Sequence, residues 1–214
     1  MAPQFDSYSA LYDQWYDAPA GQRLFMAEAG CLQLLGGAFV GRWVEIGVGT
    51  GRFASALKVA EGLDPSLPML KMAAARGIRT YVGRGEQLPF KSESIDGLLL
   101  NLALCFIADP AQALRECFRV LRSRGHLLLG VIPAESDWGK LYQTKKNQGH
   151  PFYAQATFRS AVEIIALAET AGFTLQRAAS TVFWLPAGPA DESTRVDEGI
   201  SPQAGFLGLL FGRN

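Results

Sequence analysis

The chain has 214 residues, 49% of them apolar and 19% charged, and its 20 basic and 20 acidic side chains cancel. Such a length suits one domain with extensions, long enough to bury a full core, and the apolar content sets it apart from disordered chains. A net charge of zero lacks the footprint of a general nucleic-acid binder or of a protein drawn to an acidic membrane, and the longest apolar run, 97–108, is too short to span a bilayer.

Tyr8, Leu11, Tyr12 and Trp15 recur at helical spacing, and a second helix is predicted from Gln22 to Leu35, stopping at Gly36-Gly37. From Arg42 onward short β-prone runs alternate with helical stretches, the pattern of a parallel α/β sheet. Strands are predicted at 43–48, 59–63, 78–82, 94–100 and 126–132. A helix from Ser66 to Arg76 ends at Gly77. Another opens at Asp109-Pro110, with Gln112 expected to complete a capping box and Leu114, Cys117, Phe118 and Leu121 as its buried stripe. Residues 134–155 read as a long connection of the kind that forms lids. Ser160 and Glu163 form a second capping box, before a helix with stripe Ile164, Leu167, Ala168 and Ala171 that stops at Gly172. A strand at 173–185, an exposed acidic loop at 186–203 and a strand at 205–212 follow; with no helix between them, the last two strands should pair antiparallel.

The strongest chemical signal is VEIGVGTGRF (44–53), where a strand meets a helix. Gly47, Gly49 and Gly51 let the backbone turn tightly and approach a ligand. The dinucleotide fingerprint needs a third glycine where Arg52 stands, which disfavours a nicotinamide or flavin site. Asp64, at the end of the second strand, suits the two hydroxyls of a ribose; alone it would read as a helix cap shared with Ser66, and the glycine loop tips the balance to the ribose.

These residues resemble class I S-adenosylmethionine-dependent methyltransferases, nearest in pattern to the subgroup acting on quinones and other small molecules. VEIGVGTGRFASAL (44–57), GLDPSLPMLKMA (62–73), GRGEQLPFKSESID (83–96), DPAQALRECFRVLRSRGHLLL (109–129), AGFTL (171–175) and YDQWY (12–16) carry the likeness. It implies a Rossmann-like α/β fold with a seven-stranded, mostly parallel sheet, an antiparallel last strand and helices on both faces. It also implies a helical N-terminal cover (1–37) and a core (38–214) holding the 134–155 insertion. By position, Glu45 would face the amino group of the cofactor's methionine part, Gly47 and Gly49 would lie against that part, and Asp64 would hold the ribose. Pro65 and Met69 would touch adenine, Gly85, Glu86 and Gln87 would line its edge, and Asn101 and Leu102 would sit below the methionine part. Arg84 departs from the family's usual acceptor of the adenine amino group, because arginine cannot accept a hydrogen bond. Ser123-Arg124-Gly125 replaces the usual Pro-Gly-Gly turn.

The aromatic face Tyr8-Tyr12-Trp15 reads equally as packing or as a cover, which with Trp138, Tyr142 and His150 would form the acceptor pocket. His126 reads as structural, and Cys105 as a buried thiol, since no proline precedes it. No His/Cys/Asp cluster has metal spacing. The segment 101–104 lacks the paired prolines of base and glutamine methylation, which with neutral charge favours a small-molecule acceptor over nucleic acid or protein. The start MAPQFDSYSA shows no secretory signal, and Cys31, Cys105 and Cys117 form no CxxC pair, which fits a reducing cytoplasm. The expected activity is methyl transfer from S-adenosylmethionine, leaving S-adenosylhomocysteine; the alternative is a non-catalytic partner or sensor binding the same cofactor. No general base and no oligomeric state follow from the sequence.

Overall fold

The computed structural model describes residues 4–186, 188 and 194–213. Its centre is a sheet of eight strands in the order β3-β2-β1-β4-β5-β8-β6-β7. The strands are β1 (Trp43–Ile46), β2 (Glu61–Asp64), β3 (Arg79–Val82), β4 (Ile95–Asn101), β5 (Leu121–Val131), β6 (Phe173–Thr181), β7 (Asp197–Glu198) and β8 (Phe206–Arg213). β3, β2, β1, β4 and β5 run parallel. β8 inserts antiparallel between β5 and β6, as the missing crossover helix required. The eighth strand is the difference from the expected seven: two residues of the 186–203 segment pair antiparallel with Ala179 and Ser180 at the sheet edge. Residues 187 and 189–193 of that segment lie outside the described residues.

The strands alternate between two cores, as a sheet covered on both faces must. Leu98 and Leu100 of β4, with Leu127 and Leu129 of β5, pack with α5 (Pro110–Val120) and α7 (Ala161–Thr170). Leu99 and Leu128 face the other way, toward α2 (Pro19–Gly36), α3 (Arg52–Ala56) and α4 (Leu67–Ala75). α1 (Gln4–Trp15), kinked at Tyr8, lies beside α4, and the Ser66 hydroxyl donates to Asp6 at 2.5 Å.

Several boundaries differ from the sequence reading. α2 begins at Pro19 rather than Gln22, since proline suits the first turn. β6 stops at Thr181 instead of 185, where Val182 takes a left-handed φ of 61°. β2 starts at Glu61, and Leu121 opens β5 rather than closing the stripe of α5. The turn-like Ser123-Arg124-Gly125 runs as an irregular part of β5 with Arg124 at φ 64°. The Ser160–Glu163 capping box is complete. The Asp109 one is half formed: Asp109 accepts from the Gln112 N–H, but the Gln112 amide donates to the Glu86 carbonyl. The 134–155 connection contains a helix, α6 (Asp137–Asn147), capped by Ser136.

Candidate functional site

The glycine loop leaves β1 at the point where strand order reverses between β1 and β4, the place where open α/β sheets bind ligands. Gly47, Gly49 and Gly51 all take positive φ, at 77°, 52° and 81°. A Cβ on Gly51 would fall 2.9 Å from Ala73, so this glycine lets the loop pack on α4. A Cβ on Gly49 would meet no protein atom within 4 Å, so it would project into open space.

Asp64 ends β2 directly opposite. Its Oδ2 accepts from the Gly49 N–H at 3.0 Å and its Oδ1 from the Ser66 N–H at 2.8 Å. The carboxylate therefore holds the approach to α4, as the cap reading expects, and also pins the glycine loop. Burial raises its pKa, and the two backbone N–H groups hold it back.

A cavity of about 160 Å³ opens over these residues. Gly47, Gly49, Asp64, Pro65, Met69, Gly85, Glu86, Asn101 and Leu102 all line it. Glu45 lines a smaller recess of about 30 Å³, which also touches Gly47, Gly49 and Asn101. Gln87 lines neither; it is exposed, and its N–H is spent on the Arg84 carbonyl. The Glu86 carboxylate accepts from the Ala108 N–H at 3.2 Å. Arg84 borders the larger cavity as well.

Three buried polar atoms around this space have no partner: Glu45 Oε2 and both amide atoms of Asn101. Unsatisfied buried polar groups are costly, so these atoms are candidates for contacts from a ligand. Asn101 reaches its position because a side chain at Gly130 would sit 2.1 Å from its Oδ1. Burial pushes the Glu45 carboxyl well above its ordinary pKa. Two acceptors, an amide and a glycine loop fit the amino acid part of a nucleoside–amino acid conjugate, and Asp64 fits its ribose.

A second, larger cavity of about 280 Å³ adjoins the first, sharing Phe5, Tyr12, Leu102 and Phe106. Of the residues expected at the acceptor, Tyr12, Trp15, Trp138, Tyr142 and His150 line it. Tyr8 lines neither cavity; it is 40% exposed and meets Phe152 edge-on. Trp138 is fixed by its indole N–H donating to the Trp184 carbonyl at 2.8 Å. His150 Nδ1 accepts from the Phe152 N–H, and burial with nearby Lys145 lowers its pKa. Cys105 also lines this cavity, its thiol pushed up to about 12 by burial.

Several participants escaped the sequence reading. Phe5 and Phe106 meet edge-on, with centroids 5.1 Å apart, on the wall between the cavities. Asp13 joins Arg52 and Arg76. Glu28 lines the aromatic cavity from α2, and it was detectable, because a carboxylate sits on the otherwise apolar stripe Leu24, Ala27, Cys31, Leu32, Leu35.

Comparison with known proteins agrees with this geometry. A methyltransferase domain family model matches residues 44–129. The crystal structure of a SAM-dependent methyltransferase from Thermotoga maritima, described as a possible histamine N-methyltransferase, superposes with a TM-score of 0.91 at 33% identity, covering 100% of this chain and 99% of that one. An uncharacterized protein of Methanocaldococcus jannaschii is 39% identical over 179 residues, 84% of this chain and 85% of its own length. Demethylmenaquinone methyltransferase of Thermotoga maritima is 32% identical over 120 residues, covering 51% of this chain and 52% of that protein. The chain belongs to the S-adenosylmethionine-dependent methyltransferases. It is an enzyme of that class, and its cofactor is S-adenosylmethionine. Among the described residues no helix is long and apolar enough to cross a membrane.

Proposed function

We propose that the enzyme methylates a small molecule held in the aromatic cavity, by in-line displacement across the wall formed by Tyr12, Leu102 and Phe106. The observation that carries this reading is the cavity itself, which is lined largely by aromatic and apolar side chains and adjoins the glycine-loop cavity. Its volume of about 280 Å³ lies near the lower end of ligand sites, roughly 300–1,000 Å³. A nucleic acid or a folded protein surface would need an open, charged groove instead. The relatives described as a possible histamine N-methyltransferase and as demethylmenaquinone methyltransferase support a small acceptor. The three unpaired cysteines support a cytoplasmic setting.

Asp64, Asn101 and the glycine loop would hold S-adenosylmethionine, which would supply an electrophilic methyl for displacement by the acceptor's lone pair, with S-adenosylhomocysteine as the leaving product and any acceptor proton passing to solvent. Asp64 and the glycine loop orient one partner, and the aromatic walls orient the other and exclude water. Alignment to about 3–3.5 Å supplies most of the acceleration such a displacement needs. The test is accumulation of S-adenosylhomocysteine when the protein is offered compact aromatic acceptors. Turnover only on a protein or nucleic acid substrate would overturn the reading.

A further inference from the structure

The aromatic cavity is lined by a carboxyl group, Glu28, with one oxygen that no described residue satisfies. Glu28 is 95% buried, since only 5% of its surface is exposed, and it lines the cavity from the middle of α2. Its Oε2 has no hydrogen-bond partner. It is not part of the wall shared with the cofactor cavity. An unpartnered buried carboxyl oxygen is costly, and one in a ligand cavity is satisfied when a ligand brings a cation that takes the place of its proton.

The surroundings favour a cation rather than a neutral donor. Tyr12 of α1, Tyr16 just after that helix, and Tyr142 and Tyr153 of the 134–155 segment line the same cavity as Glu28. A cavity lined by aromatic rings and a carboxyl suits an ammonium, which can pair with the carboxylate and with a ring quadrupole. The cavity's own cations, Lys145 and Arg159, are partly exposed, and among the described residues neither forms an ion pair with Glu28: Lys145 lies 5.4 Å from the Tyr142 ring centroid, and Arg159 donates to the Thr157 carbonyl.

We infer that Glu28 is the recognition site for a positively charged group on the methyl acceptor, so that the acceptor is a compact aromatic amine. This rests on the methyl-transfer reading above. A protonated nitrogen has no lone pair to methylate, so the group at Glu28 anchors the molecule. The atom that receives the methyl is a second, neutral nucleophile at the Tyr12–Leu102–Phe106 wall. The acceptor is therefore two-ended, unlike a neutral quinone.

Burial pushes the Glu28 carboxyl up to about 8, which sets a pH signature. Below that value an incoming cation must displace a proton, so its binding tightens as pH rises toward 8 and then levels off. The tyrosines facing Glu28, with Cys31 and Cys105, are pushed above their ordinary ranges and stay protonated there. His150 is pushed down and is neutral above pH 7.

The experiment compares 2-phenylethylamine with its neutral isostere 2-phenylethanol by calorimetric titration, with S-adenosylhomocysteine saturating. The amine should bind at least tenfold more tightly, by a margin that widens between pH 7 and 8. Glu28→Gln should erase the preference while S-adenosylhomocysteine affinity is unchanged, which also certifies the fold. Equal affinity for the two probes, no binding of either, or a preference that survives in Glu28→Gln would each overturn the inference. Loss of turnover with the preference intact would also overturn it, assigning Glu28 as a base. The two readings fail separately. Methylation of neutral phenols with no amine preference removes the inference alone. Amine preference without methylation of any small acceptor removes the proposed function alone.

Discussion

Asp13 on the first helix and Arg52 at the start of α3 form a two-pronged ion pair, with contacts of 2.8 and 3.0 Å. Arg76 closes on the same carboxylate at 2.8 Å and donates to the Thr50 carbonyl, so the N-terminal helix is tied to the glycine loop. The arginine that breaks the dinucleotide pattern is thus the anchor of the helix that covers the cofactor cavity.

This latch has a pH signature. Burial alone would raise the Asp13 pKa, but hydrogen bonds from Arg52, Thr50 and Arg76 outweigh it and hold the pKa at about 2. A depressed carboxylate stabilises the folded chain above its unfolded pKa and loses that contribution as pH falls through the folded one. The shift corresponds to about 2 kcal/mol, present above about pH 4 and gone near pH 2. Asp13→Asn should cost about as much in urea unfolding at pH 7, with the difference from the parent shrinking in acid. A deficit that stays constant down to pH 2 would contradict the latch.

Asp64 has two tasks, and its substitution should show both. On the proposal that Asp64 holds the ribose, Asp64→Ala should cost roughly 1.5–3 kcal/mol, or about ten- to hundredfold, in cofactor affinity. It also frees the Gly49 and Ser66 N–H groups, so thermal stability should fall too. Asp64→Asn keeps an acceptor for one N–H and should retain more stability than affinity. Calorimetric titration beside thermal unfolding separates the effects; unchanged affinity in the alanine variant would remove Asp64 from the site.

Gly49→Val tests the loop itself. Its φ of 52° disfavours a β-branched residue, and the new side chain would enter open space beside the loop. The variant should gain no thermal stability from added S-adenosylmethionine. A gain equal to the parent's would place the cofactor elsewhere.

The sheet, the glycine loop and Asp64 were legible because they follow local rules: runs of buried aliphatics, positive φ at glycine, and a carboxylate at a strand end. What was missed depends on distant pairing. Nothing near Asp13 in sequence predicts Arg52 and Arg76 as partners. α6 went unread because its sequence is polar and contributes one large buried side chain, Tyr142, although Ser136 marks its start by accepting from the Gly139 N–H. Tyr8 has the same helical spacing as Tyr12, but the kink at Tyr8 turns it out toward solvent.

The two aromatic segments meet at Phe152, and this junction predicts a cover that responds to ligands. Phe152 stacks on Phe5 with centroids 6.2 Å apart and meets Tyr8 and Tyr12 edge-on at 5.8 and 5.9 Å. α1 thereby roofs the cofactor cavity through Phe5 and Tyr12, while Trp138, Tyr142 and His150 wall the acceptor cavity. Ring contacts of this kind are worth about 0.5–1.5 kcal/mol each, small enough for a segment to open and reclose without global unfolding. Ligands must pass this roof, so they bind the closed form and shift the population toward it. Saturating S-adenosylhomocysteine should slow backbone hydrogen exchange in residues 8–16, where the latch and the roof coincide. Adding 2-phenylethylamine should extend the slowing to 138–153. Phe152→Ala should reduce the second effect more than the first, because Asp13 still ties α1 down. Protection confined to the glycine loop and Asp64, with both aromatic segments exchanging as before, would mean that α1 and α6 are fixed scaffold and that ligands enter by another route.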